Sequence, residues 1–78
     1  PTVEDRITVI RKHLLHSLQW KGPKLGILEM RPHYSNYLKG LSHIKDFRMM
    51  LVHAESLDAI EEIFEKIINY YTQLELVG

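Results

Sequence analysis

At 78 residues, with ten Lys and Arg against ten Asp and Glu and no cysteine, the chain has the length of one small domain and is too short for a catalytic α/β barrel, which takes about 250 residues. The absence of cysteine excludes a disulfide scaffold and a thiol nucleophile, and it suits a reducing compartment. No apolar run approaches the roughly 18 residues of a membrane helix, and the opening Pro1-Thr2 does not read as a signal peptide, so residues 1–78 are expected to form a single soluble, cytoplasmic helical domain excised from a larger protein.

The zero net charge conceals an asymmetry. From Pro1 to Ala54 nine cations face four acids, giving +5, and from Glu55 to Gly78 one cation faces six acids, giving −5. Either the basic part attracts a polyanion, or complementary helices neutralise each other inside the fold.

A first helix is expected to begin at Thr2, whose hydroxyl can cap the free amides of the first turn, with Glu4 and Asp5 suited to the helix dipole. Val3, Ile7, Ile10, Leu14 and Leu18 form its buried stripe. On another face Val9, His13, His16 and Trp20 share a narrow arc, which marks either a docking surface or, through the two histidines, an incomplete metal set; no third ligand has suitable spacing, so no metal is assigned. Lys21-Gly22-Pro23 ends this helix, with Gly22 in a left-handed conformation and Pro23 at the first position of the next.

In the second helix Ile27, Met30, Tyr34, Tyr37 with Leu38, and Leu41 recur at steps of three and four, one buried face. Lys24, Arg31, Ser35 and Lys39 gather roughly opposite. Three cations and a hydroxyl without an acid suit phosphate oxygens, although the same arc also describes a solvated face. Pro32 has no amide for the carbonyl of Leu28, and because the seam continues in phase a kinked but continuous helix is expected. Gly40 stops it, and Ser42 is the expected N-cap of a segment from His43 to about Val52 with Ile44, Phe47 and Leu51 inward. Arg48 points elsewhere, toward an ion pair with the last helix or toward a ligand.

Ser56 caps the final helix. Its Leu57, Ile60, Phe64, Ile67, Tyr71 and Leu74, broadened by Ile63 and Ile68, make a bundle seam. Glu62 and Lys66 are spaced to pair, and the tail from Gln73 to Gly78 is expected to fray. The fold expected is all-α, an antiparallel up-down four-helix bundle with its second helix kinked at Pro32. No nucleophile elbow, Gly-rich phosphate loop or paired carboxylates appear, so no catalytic residue is assigned.

The run Met30-Arg31-Pro32-His33-Tyr34-Ser35-Asn36-Tyr37-Leu38-Lys39-Gly40-Leu41, followed by Phe47-Arg48, resembles the C-terminal helical domain of bacterial tRNA-dihydrouridine synthases. Arg11-Lys12-His13-Leu14, Lys21-Gly22 and the acidic helix from Ser56-Leu57 extend the resemblance over nearly the whole chain. Arg31, His33 and Tyr37 keep the family pattern, whereas Pro32 stands where a second cation is common and Asn36 where a large aromatic is common. The resemblance implies a tRNA-binding domain working beside a separate catalytic barrel of the same parent chain, which would carry FMN and take electrons from NADPH to reduce uridine in tRNA. It implies no cofactor, catalytic residue, membrane or DNA for these residues themselves. The RNA-binding set it suggests, joined with the basic stripe, is Lys24, Arg31, His33, Ser35, Asn36, Lys39 and Arg48, while Val9, His13, His16 and Trp20 would dock against the barrel. The alternative is a protein-protein module that uses this Val/His/Trp face with no RNA involved.

Overall fold

A computed structural model describes residues 2–77, and all regular structure among them is helical. The elements are α1 (Val3–Met30), a 3-10 turn (Arg31–His33), α2 (Tyr34–Tyr37), α3 (Ile44–His53) and α4 (Leu57–Val77). Since α2 is a single turn, three helices exceed that length.

The start of α1 follows directly from its residues. Thr2 accepts the amide of Asp5 through its hydroxyl, and the Asp5 carboxylate accepts the amide of Thr2, a reciprocal cap that satisfies two otherwise unpaired donors. The helix is then interrupted at Gly22, whose φ of 86° and ψ of 170° are not helical. This is not the left-handed cap expected from the sequence but an extended, positive-φ conformation that is essentially restricted to glycine. Pro23 follows it and opens a second arm.

The second arm packs against the first with almost no clearance. At Gly26 a Cβ would lie 2.8 Å from Leu18 Cα and 2.8 Å from the Ser17 carbonyl oxygen, so only a hydrogen fits between the backbones. Ser17 is correspondingly buried. Arg6 Nη1 donates to the carbonyl of Lys39 at 2.8 Å, tying the start of α1 to the turn after α2.

At Pro32 the expected kinked, continuous helix is not formed. The α-helix stops at Met30, and the amide of Arg31 takes the carbonyl of Leu28 in a tighter bond, which supplies the donor that Pro32 lacks. The seam nevertheless holds: Ile27, Met30, Tyr34 and Leu38 are buried and Tyr37 and Leu41 pack against them. They join Ile7, Ile10 and Leu14 of α1, Leu51 of α3, and Ile60, Phe64 and Ile67 of α4 in one core.

The start of α3 also differs from expectation. Its N-cap position is His43, at φ 62°, with no side-chain cap, while the carbonyl of Ser42 accepts the Tyr71 hydroxyl. Ser42 thus anchors α4 instead of capping α3. Ser56 does cap α4, accepting the amide of Ala59 at 3.1 Å. Within α4 the expected seam is buried from Ile60 to Tyr71, but Leu57 and Leu74 at its ends are 37% and 43% exposed. Gln73 to Val77 lie within α4, as Gln, Leu and Glu are good helix formers with no breaker among them. Gly78 lies outside the described residues.

Gly26→Ala is expected to cost about 1–3 kcal/mol, because backbone rather than a flexible side chain must move. Gly22→Ala, with open space around its Cβ, should lose roughly 1–3 kcal/mol through backbone strain alone. Urea unfolding followed by circular dichroism separates them: restoring small-residue packing by Gly26→Ser should fail, since serine carries the same Cβ.

Candidate nucleic-acid interface

The residues singled out by sequence are not gathered at one site. Lys24 and Arg31 line an open groove of about 750 Å³ between the second arm of α1 and the α3–α4 junction, with Leu28, Glu55 and Leu57. Ser35, Asn36 and Lys39 are exposed farther along the chain.

Arg31 itself is half-buried, which corrects its expected place on a free basic face. Its Nη2 donates to the carbonyl of Ala54 at 3.5 Å, and its Nε is buried without a partner. One end of the guanidinium thus holds the α3–α4 junction, and the groove exposes the rest.

The two predicted sets also meet. His13, expected on a docking face, is half-buried, and its Nδ1 lies 2.8 Å from the Tyr37 hydroxyl. Its ring is 4.7 Å from that of His33, tilted by 54°, and 5.7 Å from Tyr37, edge to face. His33 and Tyr37 of the motif are therefore held by α1 across the fold. Tyr37 packs against the seam while its hydroxyl meets His13, a contact across 24 residues that periodicity does not show.

Val9 is 50% and Trp20 76% exposed, and His16 is exposed between them. Beside this edge lies a pocket of about 320 Å³ lined by His13, His16, Ser17, Trp20 and Glu29. Lys21 Nζ is 3.1 Å from the Glu29 carboxylate.

The charge asymmetry is partly spent within the fold. Arg11 pairs with Glu61 at 3.0 Å and Glu65 at 3.4 Å, and its guanidinium lies 5.6 Å from the centre of the Phe64 ring. Among the described residues the expected Glu62–Lys66 pair is absent, and no ion pair involves Lys12, Lys24, Arg31, Lys39, Lys45 or Arg48, the last half-buried on α3. Four of these unpaired cations were in the predicted RNA-binding set. Arg6, bonded to the Lys39 carbonyl, was not, and a pairing across 33 residues leaves no periodic trace in sequence.

Among the described residues no group of three or more metal-ligating side chains converges, and no helix is long and apolar enough to cross a membrane. No family model, curated protein or solved structure matches the chain.

Tyr34, next to the motif, gives a measurable signature. Its side chain is 1% exposed with an unpartnered hydroxyl, and burial pushes its pKa up to about 12, against the opposing influence of the Arg31 charge. The ordinary tyrosine value is about 10. Between these values the unfolded chain loses the proton first, so the stability present below pH 10 falls as pH rises toward 12. Tyr34→Phe should therefore be neutral or stabilising at pH 7, because it removes an unsatisfied buried hydroxyl, and should shallow the alkaline loss. Tyr71, whose pKa is raised by burial and by Tyr70, leaves a residual slope. Urea titrations at several pH values test this; a clear loss of stability in Tyr34→Phe at pH 7 would mean that the hydroxyl is bonded.

Proposed function

We propose that the chain is the tRNA-binding helical domain of a dihydrouridine synthase, holding folded tRNA while a separate barrel domain of the same parent protein, with FMN and NADPH, reduces one uridine. The proposal includes an up-down four-helix reading of the fold, counting the two arms of α1 apart and adding α3 and α4, and a cytoplasmic location. No residue of this chain is assigned to the flavin or to NADPH.

The observation that carries the reading is the set of cations left without carboxylate partners, Lys24, Arg31, Lys39 and Arg48, while Glu61 and Glu65 of the acidic helix are paired with Arg11. Folded RNA is recognised through shape, sugar and phosphate, for which cations on a rigid helical frame suffice. Arg31 acts at the groove as a fixed charge, its guanidinium braced by the Ala54 carbonyl. Lys24 lies beside it and Lys39 farther away, with Ser35 and Asn36 offering neutral donors between. His33 serves this surface indirectly, since its ring packs on His13 and sets the turn that follows Arg31. A second reading, protein docking through Val9, His13, His16 and Trp20, is favoured only by the exposure of Val9, His16 and Trp20.

In the parent enzyme, Lys24→Ala and Lys39→Ala should each weaken tRNA binding and lower the salt slope by about one phosphate contact. Arg31→Ala should cost roughly 1–3 kcal/mol of binding and, unlike the lysine variants, also lower the melting temperature by releasing Ala54. Filter-binding titrations over a salt series decide it: unchanged affinity and slope in a folded Lys24, Lys39 and Arg48 triple alanine variant would reduce these residues to a solvated surface.

A further inference from the structure

We propose that the pocket beside Trp20 seats one unpaired, amino-bearing nucleobase of the bound RNA. The inference rests on the RNA-binding reading above and adds a contact of a different kind, made to a base and not to phosphate. Trp20 is 76% exposed although it stands on the rigid first arm of α1, immediately before the Lys21-Gly22 turn. An indole left so open, with a pocket of about 320 Å³ at its side, offers the apolar face on which any base stacks. That volume is at the small end of ligand sites, of the order of 300 Å³.

The other walls are polar: the exposed imidazole of His16, the ring of His13, Ser17 and Glu29. His13 is fixed by Tyr37, so this wall is preformed. The Glu29 carboxylate is an acceptor for an exocyclic amino group, and Lys21 at 3.1 Å cancels its charge toward a neighbouring phosphate. Lys12, one turn before His16, has no carboxylate partner among the described residues and is free to take a flanking phosphate. An apolar protein partner suits the site less well, because covering it would dehydrate the Lys21–Glu29 pair without replacing its contacts. A base brings both a stacking face and a hydrogen-bonding edge.

Trp20 is the single tryptophan of the chain, so its emission reports on the pocket directly. The experiment titrates the 78-residue chain with an RNA hairpin carrying one bulged adenosine and with the same hairpin fully paired, at two salt concentrations. The bulged hairpin is expected to quench Trp20 and to bind roughly tenfold more tightly, the effect of one base stack. Trp20→Ala, at an exposed site, should keep its helical circular dichroism and bind both hairpins alike, while Trp20→Phe should retain part of the preference. Salt-sensitive binding of both hairpins with equal affinity and unmoved emission would overturn the pocket and leave the cationic surface standing. Failure of both hairpins to bind would overturn both readings. An emission shift that follows protein concentration in the absence of RNA would assign the edge to a second copy of the chain and overturn the base seat.

Discussion

Between the two arms of α1, Gly26 meets the backbone of Ser17 and Leu18 at a distance that excludes a Cβ. Everything after residue 22 depends on it. The positive φ of Gly22 folds the chain back, and the missing side chain at Gly26 lets the second arm settle against the first. That depth of packing brings the buried side of the second arm into the core with Ile10 and Leu14. A larger separation would also draw the residues after Pro32 away from α1, and with them the contact between His13 and Tyr37.

The motif segment shows how a proline changes the local helix type without disturbing a core. Pro32 ends the α-helix and forces a tighter turn, yet Met30 and Tyr34 on either side remain buried. Arg31, at the start of that turn, reaches the Ala54 carbonyl at the α3–α4 junction, whereas Ser35 and Lys39 are exposed farther along the chain.

Electrostatics follow the same division between what is packed and what is left. Arg11 lies over Phe64 and between Glu61 and Glu65, so the acidic helix is bonded to the basic part of the chain and not simply turned away from it. Lys24 and Lys39 are exposed and have no carboxylate partner among the described residues. Such exposed charges steer a polyanion over distances of a Debye length, about 8 Å at physiological salt, while contributing little to folding.

Much of the fold was legible in the sequence, because each helix carries its own periodic stripe and two of them their own caps. The Thr2 and Ser56 caps and the buried residues from Ile7 to Leu14 and from Ile60 to Tyr71 were all readable from spacing and side-chain chemistry within one helix. What spacing could not supply was any relation between elements. It set His13 and His33 in separate roles, although tertiary packing places their rings 4.7 Å apart. It also gave Ser42 a capping task that the fold transfers to the anchoring of Tyr71, and it assumed a continuous α-helix across Pro32, where a 3-10 turn forms. The sequence by itself determined the buried stripe of each helix away from its ends, since a periodic apolar stripe has only one way to leave water. Only the tertiary structure decided which polar groups meet, because hydrogen bonds and ring contacts are directional and short-ranged, and their partners are chosen after the backbone has already been placed.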